Sequence, residues 1–538
     1  MSTRPTRRDL LKTGLAGAAF LAEANLLPAK PAKGAPRMPP LRLRAYAADG
    51  QPRPQRAYGS LYLTDLDRNP LRLRPAFEDG AAVLGDIPDA PFTVIMQLGV
   101  EGFGRVYQVA DNGGQGYAGD EGELNLNCEF ASSRLASVQQ AFDQGEQEDC
   151  DFSAEVGQRL GRAADALERA KAALDDPRDC AAACEESLRE SLWGGEQVVF
   201  ERARHDIANR GKRDGFLFGC NCFGYPQHGE QYASLFAELL NFATLPFYSL
   251  SLRDGAQRAR AYAALDTKLG WTRRNAITAK GHPLVWFHRA GIPQEVRGKT
   301  FEEIEALGRA GIREIVLRYA GQIDIWDVIN EAHDWGNELG YSQEQLLQMT
   351  RMAAETTKEA NPNAVAIVNN CTPFGEYVSR GRTYFGEVKR PMWAPIEYLH
   401  ACIDTGIDFE VVGVQLYYPG YDMFEISRLL DRFAQFGKPV HITELGVSTA
   451  TGEDATAYVK QPGGAYWHGE WSEAIQADWI EQFYTLCYSK PYVEAVTWWD
   501  FADKGHFWPH GGFLRSDMTP KESYGRLKTL LGSWGHRR

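Results

Sequence analysis

The chain has 538 residues, 44% hydrophobic and 24% charged, a globular balance that excludes a mostly disordered chain. Acidic residues outnumber basic ones, 71 to 58, for a net charge of −13. An acidic surface repels phosphate backbones and so sets nucleic acid aside as a partner. Aromatics reach 12%, which serves either a large core or a site that stacks on flat ligands such as sugar rings.

The first segment carries a twin arginine, Arg7-Arg8, followed by an apolar, small-residue stretch from Thr13 to Leu27 and a Pro/Ala/Lys segment. Residues 1–29 read as a removable twin-arginine signal, with cleavage after Ala24 or Ala29. That predicts export to the periplasm or beyond by the twin-arginine machinery. No later stretch reaches about 18 apolar residues, so no membrane contact is expected after signal removal.

From 41 to 128 the pattern predicts β structure. Leu41-Arg42-Leu43-Arg44 and Leu71-Arg72-Leu73-Arg74 alternate with period two, and Phe92–Val100 and Val106–Ala110 are further strands. Asp111-Asn112-Gly113-Gly114 is a dense turn signal whose polar groups could also meet calcium or a sugar hydroxyl. A small β-sandwich-like domain is expected, and by fold analogy such modules can bind carbohydrate. From 129 to 212 the signal changes to helix. Leu160, Leu167 and Leu174 recur every seven residues, Asp175-Asp176-Pro177 breaks the run, and Leu188, Leu192 and Val199 follow on a second one. This predicts a helical hairpin acting as a spacer.

From 213 to 538 short apolar runs alternate with longer helical stretches. Strands are expected at Phe216–Cys220, Leu240–Ala243, Ala279–Val285, Ile323–Val328, Ala364–Val368, Phe409–Gln415, Pro439–Thr443 and Ala495–Trp499. Eight such units predict an α/β fold, a (β/α)₈ TIM barrel, with its active site at the C-terminal strand ends.

The chain holds nine cysteines, an odd number with no CxxC pair. Cys180 and Cys184 lie four apart on an expected helix, Cys220 and Cys222 two apart on an expected strand, and neither pair has a visible second half for a zinc site. Buried thiols are expected, with room for one disulfide that sequence does not locate. No metal and no cofactor is predicted.

Two strand ends carry carboxylates. Ile323-Asp324-Ile325-Trp326-Asp327-Val328-Ile329 runs out into Asn330-Glu331, and Pro439-Val440-His441-Ile442-Thr443 into Glu444. On one barrel rim such a pair can converge on one substrate. Glycoside hydrolysis needs it, one carboxyl protonated to supply the leaving group's proton and one ionised.

The barrel segment resembles glycoside hydrolase family 10, whose best-known members are endo-β-1,4-xylanases. Four stretches carry the resemblance in order: Gly281-His282-Pro283-Leu284-Val285-Trp286, Trp326-Asp327-Val328-Ile329-Asn330-Glu331-Ala332, Ile442-Thr443-Glu444-Leu445 and Val496-Thr497-Trp498-Trp499-Asp500. The resemblance implies Glu331 as acid/base and Glu444 as nucleophile. It implies Asn330 as partner of the sugar 2-hydroxyl, His282 as a hydrogen-bonder, and Trp286 and Trp499 as stacking faces. Trp508 stands one residue away from a second stacking Trp, and Asn369 matches an Asn at the end of the fifth strand. The sequence also departs from the family. After the second strand, Thr244-Leu245-Pro246-Phe247-Tyr248-Ser249-Leu250 lacks the usual Asn and Lys that grip xylose. After the sixth, Gln415-Leu416-Tyr417 puts Tyr417 where the family has a His beside the nucleophile, and a tyrosine hydroxyl can still donate there. Gln415 is counted with the substrate-side residues.

The other aromatic and histidine clusters carry two readings each. His282 can be a core histidine or a site residue. His506 and His510 flank Pro509, which argues against a helical metal pair. Tyr466-Trp467-His468-Gly469-Glu470-Trp471 can stack on sugar or simply pack, and Trp335 and Tyr418 are cleft-wall candidates. The leading expectation is a retaining glycosidase that cleaves a polysaccharide or oligosaccharide by double displacement, with xylan as one substrate. The alternatives are a related enzyme acting on a different glycan and an inactive carbohydrate-binding protein. A metal-dependent barrel hydrolase is set aside, because Gly281-His282-Pro283 offers no His-x-His.

Overall fold

The computed structural model describes residues 40–536 apart from 86, 87, 89, 120, 121, 384, 385, 418 and 419, so the expected signal at 1–29 and Tyr418 lie outside the described residues. Eight short strands come first: β1 (Leu41–Arg44), β2 (Tyr62–Thr64), β3 (Pro70–Leu71), β4 (Ala76–Glu78), β5 (Ala81–Leu84), β6 (Thr93–Val100), β7 (Gly104–Ala110) and β8 (Glu123–Asn125). They form one sheet in the order β4-β5-β1-β8 and four of the five strands of a second, β7-β6-β2-β3. The expected strand at Leu71-Arg72-Leu73-Arg74 is cut short: only Pro70 and Leu71 pair. Its arginines reach backbone carbonyls instead, Arg72 at Arg390 (2.7 Å) and Arg74 at Arg380.

The pair β6 and β7 is buried on both faces. Val94, Met96, Leu98 and Val106 point into a core shared with the following helices. Ile95, Tyr107 and Val109, with Tyr62 of β2, belong to the barrel core. A strand covered on both sides loses the apolar/polar alternation of a half-exposed one. The expected sandwich is therefore not a free-standing module. The turn at Asp111 is structural as well: its carboxylate caps Gly114 N–H and holds Arg68 at 2.8 Å.

Three helices follow rather than two: α1 (Leu126–Gln147), α2 (Ala154–Ala172) and α3 (Pro177–Arg210). β8 runs directly into α1, because the Asn125 side chain accepts from Asn127 N–H and starts the helix at once. α3 starts with an Asp176 cap and a proline in its first turn. Leu160 and Leu167 of the predicted heptad are buried on α2. Leu174 falls beyond its end and is 57% exposed.

The barrel strands are β9 (Leu217–Asn221), β10 (Phe242–Pro246), β11 (Thr278–His282), β13 (Ile325–Asn330), β14 (Val365–Asn370), β17 (Val411–Leu416), β18 (Val440–Leu445) and β20 (Val493–Trp498). Neighbours pair in parallel, β20 returns to β9, and a β11–β13 pairing closes the ring. All eight expected strands are present. The second starts at Phe242 rather than Leu240, because a helix runs through Leu239. A short β12 (Val285–Trp286) pairs with β13 outside the ring, and β15 (Arg382–Thr383) and β16 (Gly386–Glu387) make a small hairpin.

β19 (Tyr466–Trp467) lies in the loop after β18 and pairs with β7, Tyr466 opposite Arg105. A barrel loop thus supplies the fifth strand of the N-terminal sheet. Trp467 is fully buried and its indole donates to Glu196 of α3 (2.6 Å). The same carboxylate takes the Met423 N–H (2.8 Å) and His468 (2.5 Å). The Tyr466–Trp471 loop therefore ties the barrel to α3; Trp467 and Trp471 are buried in packing, while the Tyr466 ring stays exposed.

Candidate active site

Both expected glutamates open into one cavity of about 490 Å³ at the C-terminal strand ends. Glu331 follows β13, and Glu444 is the fifth residue of β18. The β13–β14 ladder slips between Asp327 and Ile329, and the β17–β18 ladder between Val414 and Gln415, just ahead of the functional positions. Such irregularities re-aim the side chains that follow them. Glu331 has a left-handed backbone, φ +53°, which a non-glycine residue keeps only when its surroundings hold it. Here the Glu331 N–H is bound by the Asn369 carbonyl at 2.8 Å.

Each carboxylate has its own donors. Glu331 accepts from the Trp286 indole at Oε2 (3.1 Å) and from Gln415 at Oε1 (3.0 Å). Glu444 accepts from the Tyr417 hydroxyl at Oε2 (3.0 Å) and from Asn369 at Oε1 (3.3 Å). Asn369 also donates to Asn330 Oδ1 (2.7 Å), which joins the two halves of the site. Both glutamates are almost fully buried, and burial disfavours the charged form. Glu331 is pushed up to about 7, chiefly by loss of water. Glu444 is also raised, by burial and then by the charge of Glu331. Two close carboxylates that resist joint ionisation keep a proton in the site near neutrality.

Beneath them lies a buried charge group. Asp327 Oδ2 is 2.7 Å from Lys280 Nζ and 2.6 Å from His282 Nδ1. With its Nδ1–H donating to Asp327 and burial lowering its basicity, His282 stays neutral. Its Nε2, 3.7 Å from Glu444 Oε1, is then an acceptor for a hydroxyl. Gly281 shapes the same region. A Cβ there would lie 2.1 Å from the Trp326 ring, so only glycine lets that ring pack under β11.

His282, Trp286, Asn330 and Trp499 join the two glutamates in lining the cavity. Asn369, Gln415 and Tyr417 lie one layer behind and orient the carboxylates. Trp508 departs from its expected role as a stacking face. It is 2% exposed, outside the lining, and stacked behind Tyr417 with ring centroids 5.5 Å apart. Trp335 packs against Tyr377 in a separate cluster, and His506 binds Asp454 (2.7 Å) and so pins a loop. Sequence reasoning missed four aromatic walls, Phe223, Tyr248, Tyr458 and Phe507, and the Lys280–Asp327 pair. Lys280 did leave a signal. A lysine two residues before His282 in a strand shares its face, and a buried charge there demands a partner.

The family model for glycosyl hydrolase family 10 matches residues 250–526, about half of the chain. The chain belongs to glycosyl hydrolase family 10. It is a glycoside hydrolase, and the matched span covers β11 to β20, including both glutamates. Among similar proteins, endo-1,4-beta-xylanase B of Thermotoga neapolitana is 24% identical over 275 residues, 48% of this chain and 70% of that protein. The endo-1,4-beta-xylanase of Geobacillus stearothermophilus is 28% identical over 246 residues, 43% of this chain and 67% of that protein. Among solved structures, xylanase 10B from Thermotoga petrophila RKU-1 in complex with xylobiose has a TM-score of 0.44 at 20% identity, with 62% of this chain and 97% of that chain covered. Native xylanase 10B from Thermotoga maritima has a TM-score of 0.45 at 20% identity, with 60% and 97% covered. The family model begins at residue 250, so it spans neither the N-terminal strands and helices nor the first two barrel strands, β9 and β10.

Proposed function

We propose that the chain is a retaining endo-1,4-β-xylanase-type glycanase working by double displacement. The observation that carries this is the pairing of Glu331 and Glu444 in one cavity, each held by separate donors. Glu331, held protonated up to about pH 7, gives its proton to the leaving sugar oxygen. Glu444 attacks the anomeric carbon, its charge supported by Tyr417 and Asn369. Water then enters, Glu331 takes its proton, and the glycosyl–enzyme bond breaks with net retention. Asn330 and His282 hold sugar hydroxyls, and Trp286 and Trp499 face the ring. Product stereochemistry followed by NMR, with azide rescue of Glu331→Ala to a glycosyl azide, tests this directly. Inverted product, or no azide adduct, overturns the mechanism.

A second reading, the same mechanism on another β-glycan, is favoured by one observation. Tyr248, with φ +39°, lines the cavity after β10 where a polar grip on xylose is expected. Release rates from xylan and from a panel of other β-glycans separate the two. Export through the twin-arginine route is proposed from residues 1–29. Its test is localisation of the wild type against a variant with Arg7 and Arg8 replaced by lysine.

A further inference from the structure

Far from the cavity, three thiols meet. Cys128 Sγ lies 3.4 Å from Cys180 Sγ and 3.3 Å from Cys184 Sγ, and all three sulfurs fall within 4.8 Å of one another. The Cys180/Cys184 pair that sequence left without a second half thus finds it 52 and 56 residues away. We propose that Cys128, Cys180 and Cys184 form a three-thiolate site for a closed-shell thiophilic cation, zinc(II) or copper(I), that pins the start of α1 to the start of α3.

Four observations support this. Sulfurs bound about 2.3 Å from a shared tetrahedral ion stand roughly 3.8 Å apart. The cluster is within reach of that spacing, and none of its sulfurs is bonded to another. A disulfide uses two sulfurs and leaves the third idle, whereas a soft cation uses all three. The placement also favours thiolates. Cys128 is in the first turn of α1 and Cys180 in the first turn of α3, so the positive ends of two long helices converge on the cluster. Cys184, one turn further on, shares the face of Cys180. Asn125, which caps α1, also points its amide at Cys180 Sγ (3.8 Å), the kind of outer hydrogen bond that steadies a ligand sulfur.

Among the described residues no histidine or carboxylate joins the three sulfurs. Copper(I) would be three-coordinate, and zinc(II) would take a water from the side where Cys128 is partly exposed. Binding forms three metal–sulfur bonds and releases to solvent one proton for each thiol still protonated, with no change of oxidation state.

The full chain, purified under reducing conditions, is tested by elemental analysis after incubation with zinc(II) or copper(I), and by cadmium(II) titration followed in the ultraviolet. One tightly bound equivalent per chain is expected, with a thiolate-to-cadmium band that saturates at one equivalent. Cys128→Ser and Cys184→Ser should lose the band and Cys150→Ser should keep it. Metal removal should lower the melting temperature and leave sugar release at a lower temperature unchanged. The wild-type titration stands even if a variant fails to fold. Binding of less than a tenth of an equivalent overturns the proposal. So does a band that survives Cys184→Ser, or a Cys128 disulfide whose reduction restores no metal uptake.

Discussion

The Tyr417 hydroxyl donates to Glu444 Oε2 at 3.0 Å. It is one of two donors that favour the charged form of a carboxylate that burial pushes towards neutrality. Tyr417→Phe removes the donor and keeps the ring. A hydrogen bond to a charged group contributes about 1.5–3 kcal/mol, so kcat should fall about 10- to 100-fold. Glu444 should ionise at higher pH, which moves the acidic limb of the rate profile upward. An unchanged profile would sink the role given to Tyr417.

Glu331 links activity to stability. The folded protein keeps its proton up to about pH 7, against 4.5 for an ordinary glutamate. Its favourable contribution to folding is complete below pH 4.5 and is lost as pH rises through 7. Glu331→Gln cannot titrate. The variant should be inactive, and above pH 7 it should be more stable than wild type by up to about 3 kcal/mol. Near pH 4.5 the two should match. Urea unfolding at pH 5 and pH 8 measures both, and an equal difference at the two values would contradict the assignment.

Gly281 has no room for a methyl group, because Trp326 fills the space. Gly281→Ala should destabilise the barrel by about 1–3 kcal/mol through overpacking. The shift would also disturb His282, the next residue, so KM should rise. Thermal unfolding together with KM checks this, and a wild-type melting temperature would show that the ring can move aside.

Glu196 is the shared acceptor for Trp467, His468 and the Met423 N–H. Glu196→Ala strands three donors, those of Trp467 and Met423 buried and that of His468 half-buried, a loss of about 2–4 kcal/mol. Limited proteolysis should then cut at the Tyr466–Trp471 loop or within α3 before the barrel opens. Uniform resistance at that loop would mean that the interface does not depend on this carboxylate.

The barrel was legible because its information is local. A buried parallel strand is a short apolar run wherever it lies, and the polar residue that follows faces the rim. That is why Asn330-Glu331 and the strand ending in Glu444 could be read before any fold was known. The N-terminal half was less legible for the same reason. Whether β6 alternates depends on what covers each face, and one cover is the barrel, which begins more than a hundred residues later. Leu174 kept the heptad count but fell past the end of α2, in the link between its last residue, Ala172, and the Asp176 cap of α3.

By itself the sequence determined the family, the eight barrel strands and the two carboxylates, because each is written in a contiguous stretch. Only the tertiary structure decided which aromatics face the cavity and which stand behind it, as with Trp499 and Trp508. It alone joined Tyr466 to β7 and Cys128 to Cys184. These are meetings of residues far apart in the chain. Burial and partner choice there follow from how whole elements pack, which no local pattern encodes.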